Sequence, residues 1–204
     1  MSEQIDILLV TPPFTQLNTP YPATAYIKGF LNTIDRAAHQ MDLGIEVILK
    51  LFSKEGLESI FSSVDKTDIK SKNSQRIFNL QKKYVKTIDA VIAFLQDKDP
   101  TLAYLICQRH YLPEASKFDQ LEDIEWAFGS MGIRDQARHI ATLYLEDISD
   151  LIVDLIDPNF GFSRYAERLG ISARSFDELY DELNGPSSFI VDLMLSILKQ
   201  KIEA

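Results

Sequence analysis

Apolar and polar positions follow two different periods along this chain. Residues 5–10, Ile-Asp-Ile-Leu-Leu-Val, make a short apolar, β-branched run that predicts a buried strand. Thr11-Pro12-Pro13 must end it, because proline donates nothing to a ladder and drives the preceding residue out of helical space. From Ala23 onward, Tyr26, Ile27, Phe30, Leu31 and Ile34 recur at helical spacing. Pro20 and Pro22 precede them, and proline is tolerated in a first turn, where its missing N–H has no partner to lose. Residues 37–42, Ala-Ala-His-Gln-Met-Asp, predict a second short strand ending on Asp42, although Ala, Gln and Met are poor strand formers. Residues 1–42 thus read as a parallel strand–helix–strand unit with a right-handed connection, the start of a Rossmann-like domain.

From Leu43 the period becomes helical and stays so through residues 43–204. Leu43, Val47, Ile48, Leu51 and Phe52 lead to Gly56, where a kink or break is expected, since glycine in a helix costs roughly 1 kcal/mol relative to alanine. Residues 62–71 read as a loop. A single amphipathic helix is predicted over residues 73–96, followed by a helix opened by Asp99-Pro100 and stopped at Leu112-Pro113. Residues 133–156 predict a long helix with Ile140, Leu143, Tyr144, Ile148, Leu151, Ile152, Leu155 and Ile156 buried. A short helix over residues 160–169, a Ser175/Glu178 capping box and a last helix opened by Pro186 complete the chain. The fold class is mainly α with a small N-terminal α/β element. Two parallel strands are seldom stable alone, so the helices must cover them or further strands must join them.

At 204 residues, with 46% hydrophobic and 25% charged positions, the chain can bury a full core. Its formal charge of −9 argues against nucleic acid or an anionic membrane as the main partner. Lys72, Arg76, Lys82, Lys83 and Lys86 read as a solvated helix face. No secretory signal or membrane-length apolar run occurs, so a cytoplasmic location is expected. The single cysteine, Cys107, excludes an internal disulfide and any cysteine-ligated cluster within these residues.

Candidate chemistry is sparse. His39, His110 and His139 are too far apart to form a spaced metal motif, and neither a phosphate loop nor a Gly-x-Ser-x-Gly elbow is present. Asp147, Asp150, Asp154 and Asp157 share one helical face, read as a solvated acidic surface opposite the apolar stripe. Cys107 sits among apolar residues and reads as an inert thiol. What remains is the stiff loop after the first strand, with four prolines in the eleven residues from Pro12 to Pro22. In doubly wound domains ligands bind outside the carboxyl ends of the strands. Thr11, Pro12, Pro13, Gln16, Asn18, Thr19 and Asp42 are therefore the candidate binding residues.

The stretch ILLVTPPFTQLNTPYPATAYIKGFLN resembles the opening of cobalamin-binding radical S-adenosylmethionine (SAM) proteins, with their strand, Pro-Pro loop and helix. MDLGIEVILKLFSKEGL, WAFGSMGIRDQARH, ATLYLEDISDLI and DPNFGFSRYAERLG are similar to segments of a bacterial branch in which a helical insertion interrupts the N-terminal domain. The resemblance implies an incomplete cobalamin-type Rossmann domain, at the front of a larger enzyme that holds the iron–sulfur cluster and SAM elsewhere. The family's CxxxCxxC cluster motif and its Asp-x-His-x-x-Gly cobalt-ligand motif are both missing here. The resemblance thus implies a non-catalytic domain that helps to form or cover a corrinoid site, with the rest of the parent enzyme as its partner. The other expectation is a helical interaction module that binds a partner protein and no small molecule. An uncovered sheet edge would also offer a route to a homodimer.

Overall fold

In the computed structural model, residues 7–13, 21–121, 132–158, 160–162, 176–177, 180 and 184–203 are described. Among them are one two-stranded parallel sheet and eight α-helices. The order is β1 (Ile7–Thr11), α1 (Ala23–Thr33), β2 (Ala38–Asp42), α2 (Leu43–Leu51) and α3 (Lys54–Ser63). Then come α4 (Lys72–Asn79), α5 (Gln81–Leu95), α6 (Leu102–Cys107), α7 (Ile133–Leu155) and α8 (Phe189–Glu203). The chain divides into two compact units, residues 1–48 with 159–204, and residues 49–158. Of the helix predicted over residues 160–169, residues 160–162 are not helical and the rest lie outside the described residues, as does the Ser175/Glu178 box. No described helix is long and apolar enough to cross a membrane.

In the first unit β1 and β2 pair in parallel, from Ile7 opposite Ala38 to Thr11 opposite Asp42. The second strand forms despite its composition because burial is asked of few of its positions. Met41 is buried, while His39 and Gln40 are exposed. At the end of α1, Asp35 takes a positive φ of 51° and the Arg36 N–H returns to the Leu31 carbonyl, which reverses the chain toward β2. Helix α8 starts three residues after Pro186, where Ser188 Oγ accepts the Val191 N–H. Lys201 on α8 reaches Glu46 on α2 at 3.7 Å.

The second unit is helical. The expected break near Gly56 falls at residues 52–53, and Ser53 caps α3 by accepting the Gly56 N–H at 3.0 Å. Glycine is needed there for space: a Cβ at position 56 would lie 2.2 Å from the Lys50 carbonyl oxygen and 2.3 Å from that of Leu51. The single helix predicted over residues 73–96 is two, α4 and α5, because Leu80 leaves helical geometry with ψ at 4°. The apolar stripe runs unbroken across the joint, so periodicity could not reveal it. Asp99 accepts from the Thr101 N–H and hydroxyl, so α6 starts at Leu102, two residues beyond Pro100.

Helix α7 packs against α4, α5 and α6, and its predicted positions from Ile140 to Ile152 are buried, whereas Leu155 and Ile156 at its end are only half-buried. Tyr144 stacks on Tyr84 with ring centroids 5.1 Å apart, and its hydroxyl donates to the Tyr84 carbonyl at 3.0 Å. The acidic stripe corrects the sequence reading. Asp147 is fully buried and Asp157 nearly so. Asp147 accepts the backbone N–H of Ala115 at 2.9 Å and of Lys117 at 3.0 Å, with the Tyr84 hydroxyl at 3.5 Å. Asp150 meets Lys117 and Asn73, and Asp154 accepts from Ser74. This face is polar because it meets backbone donors and α4, and those partners are too distant in sequence for helical spacing to reveal.

Burial, outweighing the hydrogen bonds from Lys117 and Ala115, lifts the Asp147 carboxyl from 3.8 to about 6. The folded state therefore binds this proton more tightly than the unfolded chain. Its contribution to stability is complete below the unfolded value and is lost as pH rises through about 6. Asp147→Asn should cost about 1–3 kcal/mol in urea unfolding, because an amide cannot accept from both N–H groups in the same way. The penalty should be larger at pH 5 than at pH 7. Gly56→Ala should cost about 1–3 kcal/mol by the same measurement, as the added methyl forces two helices apart.

Candidate functional site

The strands are short, so their carboxyl ends fix a small corner. Parallel register sets Thr11 beside Asp42. Thr11 is buried, Pro12 is exposed and Pro13 is half-buried. Helix α2 begins immediately after β2, without a loop, because Asp42 serves as its cap: Oδ1 accepts the Ile45 N–H at 2.9 Å. The prolines press close. A Cβ at Gly44 would stand 3.3 Å from Asp42 Oδ1 and 3.4 Å from Pro13 Cα. Thr11, Pro12, Pro13 and Asp42 are thus brought together, and Gly44 joins them. Gln16, Asn18 and Thr19 lie outside the described residues.

The chemistry of this corner is that of a rigid wall. Asp42 already supplies negative charge at the α2 N-terminus, so the helix dipole there is answered from within the chain and an anion has less to gain. The pyrrolidine of Pro12 is a stiff apolar surface, suited to contact with a flat or bulky ligand. Gly44 was not singled out in the sequence, and its signal is visible only with hindsight: a glycine two residues beyond a strand end, facing a proline loop. Among the described residues no group of three or more His, Cys, Asp or Glu side chains could hold a metal ion.

In the second unit, the lysines and arginine read as one solvated face separate into two sets. Lys72, Arg76 and Lys83 line an open groove together with Arg109 and His110, whereas Lys82 and Lys86 are exposed outside it. The helical spacing of the first three was legible. Their meeting with residues 109–110 was not, since it depends on how the segment after α6 folds back. Cys107 is half-buried, its thiol donates to the Ile133 carbonyl at 3.5 Å, and burial pushes its pKa up, away from a nucleophilic thiolate.

No protein-family model, curated protein or solved structure matches this chain.

Asp42→Ala should lower stability by about 1 kcal/mol, the usual worth of a cap, as measured by urea unfolding. Asp42→Asn or Asp42→Ser should recover most of that loss, which separates capping from a demand for charge.

Proposed function

We propose that this chain is a non-catalytic domain of a larger α/β assembly of the cobalamin-binding radical SAM type, whose strand-end corner helps to form or cover a corrinoid site. The observation that carries the reading is helix α1. It connects two parallel strands, yet none of its residues is buried, and Tyr26 and Phe30 are 78% and 64% exposed. Ile27 and Ile34 are exposed beside them. Parallel sheets occur with both faces covered and their crossover helices packed, so an uncovered crossover helix on a two-stranded sheet is a unit that awaits more structure. Further strands and helices of a parent enzyme would supply it.

In that assembly Pro12 and Pro13 would give the corrinoid a rigid apolar contact. Gln16, Asn18 and Thr19 would offer hydrogen bonds, and buried Thr11 and the cap Asp42 would hold β1 and α2 in place behind them. The cluster, SAM and the reacting groups would belong to the remainder of the enzyme. The exposed face of α1 also favours the second reading, a helical interaction module, because the same four apolar side chains would fit a partner protein with no small molecule involved.

Hydroxocobalamin separates the two. A ligand that binds only the folded state at a hundred times its dissociation constant adds about 2.7 kcal/mol of stability, so the melting temperature should rise on titration. Gln16→Ala with Asn18→Ala should reduce that rise. An unchanged melting temperature, together with loss of self-association or partner binding in Tyr26→Ser/Phe30→Ser, would favour the interaction module.

A further inference from the structure

The second unit holds an open groove of about 610 Å³ that the strand-end corner does not involve. Lys72, Arg76 and Lys83 line it from α4 and α5, and Arg109, His110 and Glu114 from the segment after α6, with Glu114 answering the charge of Arg109. The chain as a whole carries a formal charge of −9, so the gathering of Lys72, Arg76 and Lys83 on one wall of the groove runs against its composition. Like charges brought into one concavity repel one another and raise the local concentration of anions.

The groove is held in shape. Arg109 takes a positive φ of 67°, a backbone state that non-glycine residues seldom adopt. Its Nε and Nη2 donate to both carboxylate oxygens of Glu114 at 3.0 and 3.1 Å. Immediately beyond, the N–H groups of Ala115 and Lys117 are fixed on buried Asp147, and the Ser116 N–H on Asn73. Arg76 has a looser partner: its 3.3 Å pair with Asp119 is exposed on both sides, the kind of contact a better anion displaces.

The lining is also mixed in a particular way. Leu80, Leu112 and Pro113 provide an apolar surface, and Gln75 and Asn79 provide amides one helical turn apart. We propose that this groove binds a small organic phosphate. Its phosphate oxygens would meet Arg76, Lys72 and Lys83, and its organic body would lie on Leu80, Leu112 and Pro113. Guanidinium and ammonium groups are the usual partners of phosphate oxygens. An extended nucleic acid is disfavoured, because the groove gathers only a few cations on a protein whose formal charge is −9.

Isothermal titration at fixed ionic strength tests this with ADP, pyrophosphate and citrate as probes. ADP should bind saturably, and more tightly than pyrophosphate, which lacks the organic body. Arg76→Glu and Lys83→Glu should each weaken ADP by at least about tenfold. Lys86→Glu, on the same helix but outside the groove, should change it less than about twofold. Lys72→Gln, which removes one exposed charge, supplies a milder variant that should weaken ADP in the same direction. Absence of saturable binding up to roughly 10 mM ADP overturns the proposal. So does equal weakening by Lys86→Glu, or binding of citrate as tight as that of ADP.

Discussion

One buried carboxylate organises the second unit. Asp147 lies inside the contact between α7 and the elements packed on it, with the N–H groups of Ala115 and Lys117 and the Tyr84 hydroxyl around it. A charge without those donors would be expensive to bury, and those N–H groups without the carboxylate would be buried and unsatisfied. The carboxylate thus decides where the segment after α6 runs. Through that segment it also sets the positions of Arg109, His110 and Glu114 opposite α4. The cationic groove is a consequence of how α7 solves its own burial problem.

The first unit obeys a different constraint. Its two strands are joined by a helix none of whose residues is buried, and Pro13, Asp42 and Gly44 crowd together at the strand-end corner. The corner is well made, yet among the described residues the sheet behind it has two strands. Precise local geometry on an uncovered scaffold is what a part of a larger sheet would show, and this contrast motivates the functional reading.

Much of the fold was legible, and the reasons are specific. The run Ile7–Thr11 is apolar and followed by prolines, so its type could be read, but it takes in Thr11 and only that residue is buried, the other four being half-buried. Helix α7 showed itself through a stripe sustained over its 23 residues. Leu80 was not legible, because the apolar spacing continues through the joint. The acidic stripe was misread because an exposed carboxylate and one that accepts buried N–H groups look the same in sequence; only the neighbours distinguish them. Of the site, Thr11, Pro12, Pro13 and Asp42 could be named from strand ends, whereas Gly44 and the meeting of Lys72, Arg76 and Lys83 with Arg109 required the folded chain.

Native-state amide hydrogen exchange tests the central contrast most directly, because it reads the opening free energy of each segment separately. The account predicts the slowest exchange in α5 and α7 around Tyr84 and Asp147. It predicts exchange by cheap local opening in β1, β2 and α1, which bury only Thr11 and Met41. Protection of the β1–β2 amides equal to that of α7 would contradict it, since the first unit would then be complete by itself and would have no need of a larger assembly.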